Sequence, residues 1–573
     1  MESVSKSQPL CRVLSGTARF AAVAATVSAL VVGAGACSSP PEPSPATPPA
    51  SPTSPPSPSV SRTPPPTVAA RPLGWGPDQQ DADRAADAVA TMSTEELAGQ
   101  VLLPFYSGLD AEAQAATVQR LHLAGSIIMG DNVPGMSDGQ VDTAAMLGVT
   151  RRLQAATQAG GRSWPGMIAV DQEGGMVSRL RAPLTEWPAP MSYGAAGNAP
   201  LAGDAGTAMA AELAALGFNT DFAPTVDVTM GPADRAVGAR SLSGDAGTAA
   251  GLGVGFAQGL LAGGLLPAVK HFPGHGSVTA DSHESLPVQN GTPEQLRTRD
   301  LVPFQAAIDA GLPMVMTGHL AVSAWQPGVP ATVSAASYAE LRAMGFQGVA
   351  VTDALNMGAV TGAYPDDSAA PLALAAGADL LVMPARVDVA HAAIVGAVKT
   401  GSLPAGRLAE AAQRVVTMMM WRGRTGAAPG LPPGSGAELS RHISAAAITV
   451  LAGPCQGPLV PGSMRIAGGS ALDRARFAAA AGAAGISVGS GPLVTLIGFG
   501  GSAAAPEAAE AAVAVALDAP WPLADSAAPT RIALYGRTPG AFAALADVLA
   551  GRAAAPGRLP AAVGPHPPGS GCG

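Results

Sequence analysis

The chain lacks an excess of positive charge and a long apolar run near its N-terminus. Its 573 residues carry 32 lysines and arginines against 41 aspartates and glutamates, a formal net charge of −9. Binding to nucleic acid depends on cationic side chains that neutralise phosphates, so this balance argues against a nucleic-acid partner. The composition, 47% hydrophobic and 13% charged, is typical of a globular protein.

The apolar run nearest the N-terminus, from Phe20 to Val32, is too short to cross a membrane, because a spanning helix takes about 20 apolar residues. Basic residues precede this run and the small residues 33–36 follow it, which is the arrangement of an export signal. We therefore predict that residues 1–36 are a signal peptide and that the mature protein is exported.

The segment Ala34-Gly35-Ala36-Cys37 resembles the lipobox of bacterial lipoproteins, with Ala34 where leucine is commonest. The resemblance implies that Cys37 is acylated and anchors the protein to the outer side of the cell membrane. Secretion with cleavage nearby is the alternative. Residues 37–77 are rich in proline, serine, threonine and alanine, which cannot bury a core. They are predicted to form a stiff, disordered tether.

A chain of this length is expected to hold two domains, and the first is predicted to be a barrel. Between residues 78 and 425, short apolar runs alternate with segments long enough for helices. Eight strands, each followed by a helix, predict an α/β fold of the (β/α)8 TIM type. The eight runs are Val101–Pro104, Ser126–Met129, Met167–Val170, Asn219–Ala223, Leu265–Lys270, Pro313–Met316, Val349–Thr352 and Asp379–Met383.

A smaller α/β domain is predicted over residues 437–565, after a linker at 426–436 and before a tail at 566–573. Alanine-rich helical segments separate its strands. Cys455 and Cys572 lie in this part of the chain, and they can form a disulfide in an exported protein, although spacing alone leaves the pairing open. The predicted strands are Ala447–Leu451, Leu493–Ile497 and Arg531–Tyr535.

The densest polar cluster of the barrel follows its fifth apolar run. Lys270-His271-Phe272-Pro273-Gly274-His275-Gly276 precedes Asp281-Ser282-His283, and three of the eight histidines fall in this stretch. Glycine and proline interrupt strands and helices, so the stretch is predicted to be an irregular loop at the carboxyl end of a strand. Functional side chains are commonly carried on such loops by a rigid scaffold.

The histidines of this loop allow two interpretations. His271, His275, Asp281 and His283 could bind a metal. Two histidines four residues apart favour metal binding on a helix, however, and Pro273 argues against a helix here. In the preferred interpretation Asp281 pairs with His283, holds the tautomer of its imidazole and stabilises the protonated form, as for a histidine that transfers protons in catalysis.

Polar side chains also follow the other predicted strands. Acids, bases and arginines at the carboxyl ends of several barrel strands suit a hydroxyl-rich ligand, because each forms strong, oriented hydrogen bonds. Any one of them could instead be a surface charge or a helix cap, and Asp227 is interpreted as structural. These side chains are Asp171, Glu173, Arg179, Arg181, Asp227, Arg240, His319, Asp353 and Asn356.

Several of these blocks resemble, in the same order, those of the β-N-acetylglucosaminidases of glycoside hydrolase family 3. The resemblance covers about residues 95–385. One departure is Met176, where an arginine is usual; it puts a contact distant from the reacting bond in doubt. The blocks are Asp171–Gly175, Arg240-Ser241, Lys270–Gly276 with Asp281–His283, Pro330–Ser334 and Thr352–Met357.

The resemblance implies a role for each matching residue. Asp353 would be the nucleophile, and His283, supported by Asp281, would be the acid/base. No metal and no organic cofactor is implied. The residues that would hold the N-acetylglucosamine ring are Asp171, Arg179, Arg240, Lys270 and His271.

The implied activity is that of a retaining enzyme, expected to be a monomer, that removes N-acetylglucosamine from the non-reducing end of cell-wall fragments. The alternatives are a β-glucosidase or a phosphorylase of the same family, and an inactive wall-binding lipoprotein. Family 3 β-glucosidases use a glutamate of the second domain as acid/base. Glu507 and Glu510 exist here, but they lie in an alanine-rich stretch where a solvated helix face is the simpler interpretation.

Overall fold

The computed structural model describes residues 71–426, 428–498 and 510–572. The predicted signal peptide, Cys37, most of the predicted tether and Glu507 lie outside these ranges. Within them, no helix has both the length and the hydrophobicity that crossing a membrane requires.

Eight parallel strands form the barrel, and each overlaps one of the predicted apolar runs. The six strands from β2 to β7 pair in chain order within one sheet, and β8 pairs with β1. A bridge between Val351 and Leu380 joins β7 to β8, and Ile127 N–H donates to Pro104 O (3.0 Å) between β2 and β1, so the sheet closes. The strands are β1 Leu102–Leu103, β2 Gly125–Ile128, β3 Met167–Val170, β4 Thr220–Asp221, β5 Leu266–Phe272, β6 Met314–Thr317, β7 Val349–Thr352 and β8 Leu381–Val382.

Every residue of these eight strands is buried. A parallel strand covered on both faces needs a continuous apolar run rather than an alternating one, which is why the runs were visible in the sequence. The predicted (β/α)8 barrel is confirmed.

Helices surround the barrel and separate its strands. Two of them approach closely because they meet at glycine: a Cβ on Gly259 would lie 2.1 Å from Gly203 O. The helices of this part that have at least six residues are Gln79–Ala90, Thr94–Gln100, Ala111–Arg120, Thr143–Gln158, Met191–Ala196, Ala199–Ala215, Ala246–Ala262, Val302–Asp309, Ala335–Ala343, Ala369–Ala376, Val387–Thr400 and Ala405–Thr425.

A five-stranded sheet with helices follows, in the order β9-β13-β12-β11-β10, with β9 antiparallel and the others parallel. Cys455 and Cys572 form a disulfide across 117 residues of sequence. Two strands were absent from the sequence prediction, β10 and β12. The strands are β9 Thr449–Ala452, β10 Ser463–Gly468, β11 Ser487–Ile497, β12 Val513–Ala516 and β13 Thr530–Ala533, and the helices are Ala437–Ala447, Ala471–Ala483 and Pro539–Leu549.

The second domain packs against the loops that follow β3 and β4 of the barrel. Ala189 N–H donates to Tyr535 O (2.8 Å), and Gly244 N–H donates to Pro560 O (3.0 Å). Buried apolar side chains of both domains, mostly alanine, fill one cluster there. The second sheet is thereby fixed beside the carboxyl-terminal face of the barrel, where the polar side chains converge.

Candidate active site

Side chains from several barrel strands meet at the carboxyl-terminal face. Asp171 directly follows β3, Lys270 and His271 belong to the end of β5, and Asp353 directly follows β7. Arg240 reaches the same face from a short 3-10 turn, Gly238–Arg240, in the long segment after β4. The parallel barrel brings these strand ends to one rim, which is where barrel enzymes place their catalytic groups.

The first half of the site is a buried charge network of Asp171, Glu173, Arg240 and Lys270. Lys270 Nζ lies 2.9 Å from Asp171 Oδ1 and 2.6 Å from Glu173 Oε1. Arg240 donates to both oxygens of Glu173, from Nε (2.9 Å) and from Nη2 (2.8 Å). The side chain of Glu173 is fully buried and that of Lys270 is 3% exposed. The network therefore fixes one lysine and one arginine against two carboxylates from the loop after β3.

The charge state of the network follows from its contacts. Burial alone raises the pKa of Glu173, but Arg240 and Lys270 outweigh burial and hold that pKa well below its ordinary value. Burial alone lowers the pKa of Lys270, but Asp171 and Glu173 outweigh it and raise that pKa. Glu173 and Lys270 are thus both charged at neutral pH. Arg179 lies at the edge of the network, with Nη2 3.9 Å from Asp171 Oδ2.

His271 is oriented by a carboxylate from the segment after β4. Its Nδ1 lies 2.7 Å from Asp227 Oδ2, and Asp227 Oδ1 accepts the N–H groups of His271 (3.2 Å) and His275 (2.6 Å). Because Asp227 accepts the Nδ1 proton, Nε2 faces the site, 3.5 Å from Arg240 Nη2 and 4.0 Å from Asp353 Oδ2. Asp227 therefore has a structural role, because it sets the orientation of His271 in the site.

Asp353 is a nearly buried carboxylate with few partners. Its Oδ1 accepts the N–H of Ala354 (2.7 Å), and its side chain is 17% exposed. Burial alone raises its pKa, but His271, the Ala354 N–H and Lys270 outweigh burial and lower that pKa well below its ordinary value. An ionised carboxylate that is only partly engaged has the properties of a nucleophile.

His319, which follows β6, supports the backbone beside Asp353. Its Nε2 donates to Ala354 O (2.8 Å), and its Nδ1 lies 2.6 Å from Thr332 Oγ1. Burial lowers the pKa of this histidine. His319 thus bonds the carbonyl of Ala354, the residue whose N–H donates to Asp353.

The second half of the site is the dyad loop, residues 281–283. His283 Nδ1 lies 2.7 Å from Asp281 Oδ1, which also accepts the His283 N–H (2.9 Å). The side chain of His283 is 65% exposed and that of Asp281 is 34% exposed. With Nδ1–H donated to the carboxylate, Nε2 remains available for proton exchange. Among the described residues, no hydrogen bond or ion pair joins the ring of His283 to Asp353.

Three contacts hold the dyad loop in place. His275 Nε2 lies 2.9 Å from Ser282 Oγ. Gly358 N–H donates to His283 O (3.1 Å), and Ala359 N–H donates to Ser282 O (3.2 Å). A Cβ at Gly358 would lie 2.6 Å from His283 O, so only glycine allows this approach. The backbone of Gly358 and Ala359, shortly after Asp353, therefore holds the dyad loop by hydrogen bonds.

The ring of His275, which contacts the dyad loop, is neutral, because burial lowers its pKa to about 4.

The histidines of this region point to different partners. His271 bonds Asp227, His275 contacts Ser282, and His283 bonds Asp281. In the part of the chain that the structure describes, no group of three or more histidines, cysteines, aspartates or glutamates is arranged to hold a metal ion.

The family is decided by the barrel. Residues 88–418 match the model of the glycosyl hydrolase family 3 N terminal domain. The chain belongs to glycoside hydrolase family 3. The polar side chains described above lie at the carboxyl ends of the strands of this barrel, the face on which barrel enzymes place their catalytic groups.

The curated relatives are identical to this chain at about a third of the aligned positions. Beta-hexosaminidase A of Pseudoalteromonas piscicida is 32% identical over 330 residues, which cover 52% of this chain and 54% of that protein. Beta-hexosaminidase LpqI of Mycobacterium tuberculosis is 32% identical over 319 residues, which cover 54% of this chain and 79% of that protein. The chain thus spans about half the length of the first of these family members.

Solved structures resemble one or both domains of this chain. A family 3 β-N-acetylglucosaminidase from Paenibacillus sp. str. FPU-7 is 28% identical with a TM-score of 0.74, and the match covers 82% of this chain and 99% of that one. LpqI of M. tuberculosis is 31% identical with a TM-score of 0.52, over 61% of this chain and 98% of that one. Beta-glucoside phosphorylase BglX, 18% identical with a TM-score of 0.74 over 85% and 97% of the two chains, shows the shared fold alone.

The structure brings Asp171, Arg179, Arg240, Lys270, His271 and Asp353 together, and it sets Asp281 and His283 on an adjacent loop. The sequence placed Glu173 among the polar side chains at the strand ends, but it was not assigned a role in holding the sugar ring. A signal existed: Glu173 lies two residues after Asp171 in extended chain, and such residues point to the same side. Glu510 is exposed, as expected for a solvated position.

Proposed function

We propose that this family member is a retaining exo-β-N-acetylglucosaminidase that uses Asp353 as nucleophile and His283 as acid/base. The proposal is best supported by two features on neighbouring parts of the site: an ionised, partly engaged carboxylate at the end of a barrel strand, and a histidine that is oriented by its own carboxylate, Asp281. The name of the Paenibacillus enzyme, a β-N-acetylglucosaminidase, supports N-acetylglucosamine as the sugar, and the β-hexosaminidase names of the curated relatives agree with a hexosamine.

In the first step, an oxygen of Asp353 attacks the anomeric carbon and the glycosidic C–O bond breaks. The Nε2 proton of His283 passes to the departing oxygen, and a covalent glycosyl-aspartate forms. Asp281 stabilises the imidazolium before transfer and keeps Nε2 as the exchanging atom. Lys270, Arg240, Asp171, Arg179 and His271 would bind the hydroxyl groups of the ring, since they offer fixed donors and acceptors.

In the second step, His283 Nε2 accepts a proton from water while the water oxygen attacks the anomeric carbon. The bond to Asp353 breaks, and the sugar is released with its original anomeric configuration. A histidine in this role avoids placing a second negative charge beside Asp353, where two carboxylates would raise each other's pKa.

The proposal is tested by turnover of a nitrophenyl N-acetylglucosaminide beside the matching glucoside, each with and without phosphate. We expect cleavage of the N-acetylglucosaminide, little cleavage of the glucoside, and free N-acetylglucosamine as product under both conditions. A sugar phosphate as the main product in phosphate buffer would reassign the chain to the phosphorylases. Preference for the glucoside, or no turnover, would refute the proposal.

The proposed location is the outer side of the cell membrane, where cell-wall fragments are the substrate. It rests on the lipobox-like segment that ends at Cys37. Cys37→Ala should move the protein from the membrane fraction to the soluble exported fraction when cells are fractionated. Equal membrane association of the variant and the parent would contradict the anchor.

A further inference from the structure

Asp221, at the end of β4, is a carboxyl group that none of the catalytic roles above uses. It is fully buried, and it pairs with Val170 at the end of β3. Its Oδ1 accepts the N–H of Gln172 (2.9 Å). Among the described residues, its Oδ2 has no hydrogen-bond partner. A buried acid that bonds a single neutral donor, beside a network of ion pairs, needs a specific explanation.

The residue that Asp221 bonds lies between two members of the buried charge network. Gln172 is flanked in the chain by Asp171 and Glu173. The hydrogen bond to its N–H therefore fixes the backbone that carries both carboxylates, and it limits how far either can move from its cationic partners.

The side chain of Gln172, which is also buried, extends this anchor to Arg179. Its Oε1 accepts the N–H groups of Arg179 (2.8 Å) and Leu180 (3.1 Å), and its Nε2 donates to Leu180 O (2.8 Å). Asp221 thus fixes, through one buried glutamine, the carboxylates of the network and the arginine at its edge.

The contacts of Asp221 favour an uncharged carboxyl group. A fully buried carboxylate needs a cation or several donors, and the two cations of the network already bond Asp171 and Glu173. Burial raises the pKa of Asp221 well above its ordinary value. The Gln172 N–H and Lys270 offset burial only in part, and Asp171 and Glu173 raise that pKa further. The group therefore keeps its proton at pH values where an exposed aspartate has lost it.

We propose that Asp221 is a positioning residue for the sugar site and that it acts as an uncharged hydrogen-bond acceptor. It fixes the Gln172 backbone without competing with the carboxylates of the network for Lys270 and Arg240. This inference rests on the proposed function and deepens it, because it adds a residue that touches no substrate but sets the side chains proposed to bind the sugar.

Two substitutions separate the hydrogen bond from the charge. Asp221→Asn keeps the acceptor and cannot ionise, so KM and kcat for a nitrophenyl N-acetylglucosaminide, and their pH profiles, should match those of the parent. Asp221→Ala removes the acceptor and should raise KM about fivefold, the effect of losing one hydrogen bond, with a smaller change in kcat. Thr220→Ala is the matched control and should keep the parent KM, because Thr220 is equally buried, bonds Asn219 Oδ1 (3.2 Å) and points to the opposite face of β4.

A third substitution tests the next contact in the chain. Gln172→Met keeps the approximate shape of the side chain and removes its bonds to the backbone of Arg179 and Leu180. It should also raise KM about fivefold. This variant tests the positioning role even if Asp221→Ala does not fold.

Unfolding at different pH values tests the charge state without any substrate. Above about pH 4 the unfolded chain releases the Asp221 proton, whereas the folded parent keeps it, so the parent loses stability as pH rises toward the folded pKa. Asp221→Asn has no such proton to lose. We therefore expect Asp221→Asn to have a higher Tm than the parent near pH 7, and we expect this gain to disappear near pH 4.

Several results would overturn the inference. An equal rise of KM in Asp221→Asn and Asp221→Ala would show that the negative charge is required. A parent-like KM in both Asp221→Ala and Gln172→Met would show that this chain of contacts positions nothing. A Tm of Asp221→Asn equal to or below that of the parent near pH 7 would indicate an ionised carboxylate. If the parent cleaved no substrate, the proposed function would fail on its own, and the unfolding comparison would still decide whether Asp221 is uncharged.

Discussion

The buried charge network and the dyad loop lie on the same face of the barrel, but they are held in different ways. Glu173 and Lys270 are almost fully buried and are tied to Arg240 and Asp171 through several charge-assisted bonds. His283 is 65% exposed and its ring bonds one carboxylate two residues away. A side chain that must hold the sugar ring in one orientation benefits from rigid burial. A side chain that binds and releases a proton in each catalytic cycle needs contact with solvent.

The same contrast predicts where a substitution damages stability and where it damages rate. Removing one partner of a buried ion pair leaves an uncompensated charge, while an exposed pair contributes little to folding. The predictions that follow run from the largest expected effect to the smallest.

The largest effect is expected at the proposed nucleophile. Asp353→Ala should lower kcat by on the order of 10⁴-fold or more, because no covalent intermediate can form. Circular dichroism should show an unchanged fold. A slow fluorinated N-acetylglucosamine analogue should label Asp353 of the parent protein, which peptide mass spectrometry can locate. A label on another carboxylate would reassign the nucleophile.

Glu173→Gln should destabilise the fold by about 3–5 kcal/mol, because Lys270 and Arg240 would stay buried without their shared carboxylate. Asp281→Asn, in the exposed dyad loop, should cost less than about 1 kcal/mol. Urea unfolding of both variants measures the comparison. If the two substitutions lowered the free energy of unfolding equally, the proposed difference between the buried charge network and the dyad loop would be contradicted.

Glu173 also predicts a pH dependence with a definite sign. The folded state holds its pKa below the unfolded value, so its stabilisation is full above that unfolded value and declines as pH falls toward the folded pKa. Stability of the parent should therefore fall below about pH 4. The decline should be shallower in Glu173→Gln when unfolding is followed from pH 7 to pH 3.

A smaller effect is expected from Ser282→Ala, which removes the Oγ that contacts the buried ring of His275 and loosens one anchor of the dyad loop. We expect kcat on a disaccharide to fall about three- to tenfold, in line with about 1 kcal/mol for one hydrogen bond. Ser285→Ala, at an exposed serine two residues after the dyad loop, is the matched control. Equal activities of the two variants would show that the anchor does not position His283.

The smallest effect is expected in the second domain. Glu510→Gln should keep near-normal turnover, because Glu510 is exposed and the proposed acid/base lies on a barrel loop. Glu507→Gln, outside the described residues, should behave in the same way. A large loss of turnover in either variant, with the fold intact, would indicate that a glutamate of the second domain is the acid/base, as in the family 3 β-glucosidases.

The barrel could be predicted from the sequence because its strands are continuous apolar runs, and Asp171, Lys270, His271 and Asp353 could be predicted as site candidates because they end those runs. The strand Val513–Ala516 was missed, since its alanines and valines lie within alanine-rich sequence that indicated helix. Burial between parallel neighbours overrides that local preference.

Most contacts between the side chains of the site could not be predicted from the sequence. Glu173 binds Arg240 across 67 residues, and Asp227 binds His271 across 44. Each pair depends on how the strands close around the barrel, not on spacing along the chain. The Asp281–His283 pair was predictable because both members belong to one short loop.

The central claim, that His283 is the acid/base, is tested most directly by the dependence of rate on the leaving group. Rates of glycosylation are measured for aryl N-acetylglucosaminides of increasing leaving-group pKa and for a disaccharide, with the parent and with His283→Ala. A poor leaving group needs its proton in the transition state, so we expect a loss of about 10²- to 10⁴-fold on the disaccharide and a much smaller loss on the nitrophenyl substrate. The basic limb of the pH–rate profile should also flatten in the variant. An equal loss for good and poor leaving groups would contradict the account and make His283 a binding or structural residue.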